Sequence, residues 1–183
     1  MTRLSALLRL AAVTCAIVPA HATVLLPAEL GDLSREAWAI ARGTVVAVEA
    51  RWTDDRRRVE TVVTLEAESY LKGALGATVQ FRVPGGRLGR YRNIVLGAPE
   101  FAVGQRVVVF LGARGPRLPY LVGLGQGVFR LAPRDGGWMV TPPAVLPGAG
   151  TVPTRIVRGD PARRAVPLED FEREVRMLAG LGP

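Results

Sequence analysis

Between Thr44 and Ala67 the chain twice alternates apolar and polar residues, and Asp54-Asp55 falls between the two runs. A period of two places neighbouring side chains on opposite faces of a strand, so this stretch predicts a long antiparallel hairpin. Thr44, Val46, Val48, Ala50 and Trp52 share a face on the way out. Val59, Thr61, Val63, Leu65 and Ala67 share one on the return. A turn at Asp54-Asp55 opposes Val48 to Thr61 and Val46 to Val63. It also sets Glu49 against Glu60 and Arg51 against Arg58, with the Arg51–Glu60 diagonal in partial compensation. A slip of one residue would turn an apolar face to solvent, so the faces are strongly specified. Gly43, inside the first strand, is expected to mark a bulge or a tight bend.

The remaining segments extend the same pattern. Val79, Phe81 and Val83 alternate within Thr78 to Val83, ahead of Pro84-Gly85-Gly86. Arg106 to Leu111 is apolar on both faces, which places it centrally, between sheet and helix. Pro119 to Leu124, Gly127 to Leu131 and Trp138 to Thr141 read as further strands, with Asp135-Gly136-Gly137 as a turn. Pro27 to Glu36 reads as a short helix carrying Leu26, Leu30 and Leu33 at helical spacing. Leu168, Phe171, Val175 and Leu178 make the apolar stripe of a terminal helix, with Glu169, Asp170 and Glu172 at its amino end. The prolines of residues 142–167 favour an extended strap. The expected fold is mainly β: a small, closed or partly open OB-like barrel over 23–141, a short amino-terminal helix, the strap, and a helix over 168–183 packed on the barrel.

Residues 1–22 read as an export signal: Arg3, an Ala/Leu-rich run from Leu4 to Val18, and an A-x-A ending. Cleavage between Ala22 and Thr23 would leave 161 of the 183 residues. Arg3 and Arg9 leave with it, so 22 of the 24 basic residues face 16 acids, a net charge of +6. An exported, periplasmic or secreted, protein is expected, with no transmembrane segment in the mature chain. Its positive charge suits anionic lipid headgroups, polysaccharide or nucleic acid, or merely solvated arginines.

The single cysteine and the single histidine, Cys15 and His21, both lie in that leader. Beyond it the chain has no thiolate nucleophile, no disulfide, no Cys/His zinc site and no Ser-His-Asp triad. Neither a catalytic residue, a metal nor a cofactor is expected. Ser69-Tyr70-Leu71-Lys72 matches S-x-x-K, but on a strand residues three apart point to opposite sides, and the lone lysine rules out K-T-G. Gly123 to Gly127 lacks phosphate-loop spacing and reads as a turn between strands. Glu66 and Glu68 share a strand face and keep a carboxylate-dependent hydrolase as a minor alternative.

Gly85 to Gln105 is a long connection for a small barrel, and such loops are often functional. Arg87, Arg90, Tyr91 and Arg92 are its candidate binding residues, since arginines beside an aromatic can cradle a carboxylate, sulfate or phosphate. The plainer alternative is a solvated loop whose Ile94, Val95, Leu96 and Phe101 tuck back to cap the barrel.

Five blocks in order resemble small exported bacterial proteins of unassigned function: Ala39-Ile40-Ala41-Arg42-Gly43-Thr44-Val45, Tyr70-Leu71-Lys72-Gly73, Pro84-Gly85-Gly86, Gly97 to Gly104, and Val109-Phe110-Leu111. Their strand order is similar to the OB-type barrel of netrin-like domains and tissue inhibitors of metalloproteinases. Those inhibitors present an amino-terminal cysteine to the protease zinc, whereas Thr23 stands at the expected terminus here, so their mechanism does not carry over. The expected function is an exported, non-catalytic binding module, its partner an exported protein or an anionic envelope polymer. The alternative that the barrel resemblance implies is a regulator or inhibitor of an exported protease.

Overall fold

The structure, a computed structural model, describes residues 28–115, 117–134, 136–143 and 164–181. The predicted leader with its Ala22–Thr23 cleavage point, and most of the proline-rich strap, lie outside the described residues. In chain order the elements are α1 (Leu30–Glu36), β1 (Ala39–Trp52), β2 (Val59–Lys72), β3 (Thr78–Pro84), β4 (Gly86–Leu88), β5 (Tyr91–Asn93) and β6 (Arg106–Gly112). There follow β7 (Tyr120–Leu121), a 3-10 turn (Leu124–Gly127), β8 (Val128–Arg134), β9 (Gly137–Thr141), β10 (Val166–Pro167) and α2 (Leu168–Leu178).

The sheet closes on itself. Strands run β1-β2-β3-β7-β6 and return to β1, which pairs with both β2 and β6. All of these pairings are antiparallel except β3–β7, where Arg82 opposes Tyr120. This is the expected OB-like barrel, closed through one thin parallel seam. Past the seam β8 takes over the same edge of β6, and β9 and β10 extend the sheet outward beneath α2.

Two apolar clusters follow from this path. Inside the barrel, Ala41, Val45, Val63, Leu65, Phe81, Val107, Val109 and Leu111 pack together. Outside it, Val108 and Phe110 turn the other face of β6 toward Leu33 of α1 and Phe171 and Val175 of α2. Phe129 bridges the outer layer, 5.4 Å from Phe110 and 4.8 Å from Phe171 between ring centroids. The doubly apolar Arg106–Leu111 run is thus central, as its sequence requires. Lys72 reaches from the end of β2 to α1 and donates to the carbonyls of Ser34 (2.9 Å) and Arg35 (3.0 Å), partners those last-turn groups lack within the helix.

Gly43 lies at the bend that lets β1 serve both neighbours. The register with β2 shifts between Arg42 and Gly43, and a Cβ at Gly43 would stand 2.1 Å from the carbonyl oxygen of Glu66.

Three expectations need correction. The β1–β2 register is two residues off the tight-turn prediction: Val48 opposes Val63, Ala50 opposes Thr61 and Arg51 opposes Glu60. Thr53 to Arg58 form the loop, closed by Thr53 N–H to Arg58 O (2.9 Å) and Arg56 N–H to Thr53 O (2.7 Å). The shift keeps every face and replaces two like-charge oppositions with a direct Arg51–Glu60 pair, both Nε and Nη2 donating to Oε1. Second, Val46 does not face the core. A bulge between Val45 and Ala47 sends Val45 inward and leaves Val46 42% exposed. The bulged backbone is held by Val45 N–H to Gln105 O and Gly104 N–H to Val45 O, both 2.8 Å. Third, of the expected Pro119–Leu124 strand only Tyr120–Leu121 forms, because the chain leaves β6 to make the 3-10 turn.

Candidate functional site

The Gly85–Gln105 connection is not an open loop. It folds into a second, two-stranded sheet, β4 with β5, whose pairs are Gly86 with Asn93, Arg87 with Arg92 and Leu88 with Tyr91. Gly86 lets this hairpin lie against the barrel rim, because a Cβ there would stand 2.6 Å from the Thr61 hydroxyl. The Thr61 hydroxyl donates to Gly85 O (2.8 Å), and Asn93 Nδ2 donates to Val59 O (3.1 Å). On the outer side Tyr91 meets Trp52 edge to face at 5.0 Å, while Arg90 Nη2 donates to the Tyr91 hydroxyl (3.0 Å).

The rest of the connection is stapled down. Gly125 N–H donates to Gly97 O (2.8 Å), Arg130 Nη2 donates to Glu100 O (2.9 Å), and Phe101 meets Phe81 edge to face at 5.5 Å. Phe101 therefore caps the barrel interior, as the plainer alternative has it. Ile94 and Leu96 do not tuck back: they stand 68% and 72% exposed.

Between hairpin and rim lies a cleft of about 510 Å³. Val48, Val83, Val95 and Phe101 give it apolar walls, and Thr61, Arg87, Arg92 and Glu100 bring polar groups to it. Of the four residues singled out in the sequence, Arg87 and Arg92 line the cleft, while Arg90 and Tyr91 occupy the hairpin tip and its outer side beside Trp52. Arg87 and Arg92 are direct cross-strand partners, and neither forms an ion pair with any described residue. Like charges directly opposed on a strand pair are unfavourable, and a bound anion removes the penalty.

No protein-family model matches the chain, and no curated protein or solved structure matches it.

The other motifs resolve into structural roles. Lys72 is committed to the α1 carbonyls, while the Ser69 hydroxyl is buried without a partner among the described residues, so S-x-x-K makes no serine–lysine couple. Glu68 accepts hydrogen bonds from Arg106 Nε (2.6 Å) and Nη2 and from the Thr44 hydroxyl (3.1 Å), with Arg42 Nε at 3.5 Å. Arg42 Nη1 continues to Glu172 Oε1 on α2 (2.6 Å), and the Arg106 guanidinium lies 4.2 Å over the Trp138 ring. Sequence spacing could not reveal this network, because its members meet only when the barrel closes and α2 docks.

Hydrogen bonds from Arg106, reinforced by the charges of Arg106 and Arg42, hold the Glu68 carboxyl below the ordinary carboxylate range. That is the wrong direction for a general acid, which needs a raised value. Because the folded value is the lower one, stability from Glu68 is fully present above the unfolded value and fades as pH falls through the folded one. Glu68→Gln is expected to cost about 1–3 kcal/mol at neutral pH, between an exposed and a buried ion pair. In urea titrations across pH the wild-type and variant curves should converge in strong acid. A constant gap at every pH would contradict the ion-pair assignment.

Proposed function

We propose that this chain is an exported, non-catalytic binding module that captures an anionic group at the β4–β5 hairpin. The observation that carries the reading is the Arg87–Arg92 pair, opposed across two short strands, lining a cleft and lacking an acidic partner among the described residues. The hairpin fixes the backbones of the two arginines opposite one another, so both guanidiniums can reach one anion, which orders them as it binds. A planar guanidinium offers paired donors matched to carboxylate, sulfate or phosphate oxygens. The lack of histidine and cysteine beyond residue 22 supports holding over transforming. The leader pattern of residues 1–22, with its A-x-A ending, supports the export reading.

Titration with sodium sulfate, followed through the arginine Nε–H resonances, tests the site. Saturable shifts are expected at Arg87 and Arg92. The double variant Arg87→Gln/Arg92→Gln should bind at least about tenfold more weakly, since each charge-assisted hydrogen bond contributes about 1.5–3 kcal/mol. Small, unsaturable shifts spread evenly over all arginines would overturn the reading.

A further inference from the structure

We infer that the hairpin end is a membrane-contact surface that docks the protein on a bilayer rich in anionic phospholipid. The inference rests on the anion-binding reading above and names the source of the anion: the headgroup phosphate, taken by Arg87 and Arg92. Ile94 and Leu96 enter the interface beside it.

The surface is concentrated in residues 87–96. This short stretch holds Arg87, Arg90, Arg92, Tyr91 and the two most exposed large aliphatic side chains described, Ile94 at 68% and Leu96 at 72%. Isolated exposed aliphatics are ordinary on a protein surface. These two adjoin arginines with no acidic partner among the described residues and an aromatic pair, Trp52 and Tyr91, which are 37% and 47% exposed. Trp and Tyr favour the headgroup level of a bilayer, arginine favours an anionic leaflet, and aliphatic tips favour the acyl boundary. All three classes occur within residues 87–96 and the Trp52 that packs on Tyr91.

The neighbouring β1–β2 loop enlarges the charge. It starts immediately after Trp52, the residue that packs on Tyr91, and carries Arg56, Arg57 and Arg58. One of its two acids, Asp55, is engaged within the loop, accepting from the Thr53 hydroxyl (2.5 Å) and the Arg57 N–H (3.1 Å). Asp54 and Asp55 offset two of the three arginine charges, so the loop adds one net positive charge.

A polymer fits this surface less well. A single-stranded nucleic acid needs free aromatic faces for stacking, whereas Trp52 and Tyr91 engage one another. A sugar or phosphate chain has no use for Ile94 and Leu96. A bilayer uses all of them.

Cosedimentation of the purified soluble protein with vesicles provides the test. Mixed phosphatidylglycerol–phosphatidylcholine vesicles should bind it, phosphatidylcholine alone should not, and added salt should weaken the binding. Each arginine at such a surface multiplies partitioning about fivefold, so Arg87→Gln/Arg92→Gln should lose about thirtyfold. Ile94→Ser/Leu96→Ser should lose about tenfold through lost apolar burial, and Leu96→Ser alone, outside the cleft lining, should leave sulfate binding unchanged. If sulfate still binds at Arg87 and Arg92 but no vesicle does, the membrane inference fails and the anion-binding reading stands. Retention on heparin or single-stranded DNA without vesicle binding, unaffected by Ile94→Ser/Leu96→Ser, overturns it in favour of a polymer. Loss of sulfate binding itself overturns both.

Discussion

Gly43→Ala is expected to destabilise the barrel by about 4–5 kcal/mol, a large fraction of the 5–15 typical of a domain. The added methyl would stand 2.1 Å from Glu66 O, 2.9 Å from Glu66 C and 3.0 Å from Ala67 Cα. Every one of those atoms is backbone, so no side chain can rotate away. Nor can the strand step aside. At this residue β1 is paired on both edges, with Ala67 of β2 and Val107 of β6. Ordinary overpacking of a core costs about 1–3 kcal/mol because neighbours yield, and here the yielding would have to break the ring. Gly104→Ala supplies the contrast. Its φ of 86° strains any other residue, but the added carbon meets nothing within 4 Å. That change should cost only about 1–2 kcal/mol. Urea unfolding of both variants, followed by circular dichroism, reads the difference. A Gly43→Ala protein within about 1 kcal/mol of wild type would mean β1 is not clamped between β2 and β6.

What the sequence made legible was whatever depends on periodicity. Alternation fixed the faces of β2 and β3, the doubly apolar run marked β6 as central, and the Phe171–Val175 stripe announced α2. Register was another matter. Both candidate alignments of β1 with β2 keep apolar faces together, and the choice between them is made by Thr53, Asp55 and Arg58 in the loop and by the Arg51–Glu60 pair. The Val46 bulge was hidden for a similar reason: the carbonyl that anchors Val45 belongs to Gln105, and nothing local reveals it. The arginines of the hairpin could be named from composition. Their direct opposition could not, since β4 and β5 are three residues each and too short to show a period. Ile94 and Leu96 read as capping residues because aliphatics are expected inside. Phe101 takes that place through its contact with Phe81, and the other two are left outside.

Phe81→Ala and Phe171→Ala should each cost about 3–5 kcal/mol, yet only the first should impair the cleft. Phe81 is wholly buried within the barrel and supports Phe101, which lines the cleft opposite the arginine-bearing hairpin. Truncating it leaves a void behind that wall, and surrounding groups relax only partly into such voids. Sulfate affinity at Arg87 and Arg92 should therefore fall severalfold, in addition to the loss of stability. Phe171 belongs to the other cluster. It holds α2 to the sheet through Phe129, on the far side of β6 from the barrel interior. Its removal should loosen α2 and the Arg42–Glu172 pair while leaving the hairpin frame intact. The comparison is made on sulfate affinity at a temperature where both variants remain folded, with melting curves recorded alongside. Equal losses of affinity would show that the two cores are mechanically one. An unchanged affinity in Phe81→Ala would show that the hairpin and its arginine pair hold their geometry without the wall that Phe101 provides.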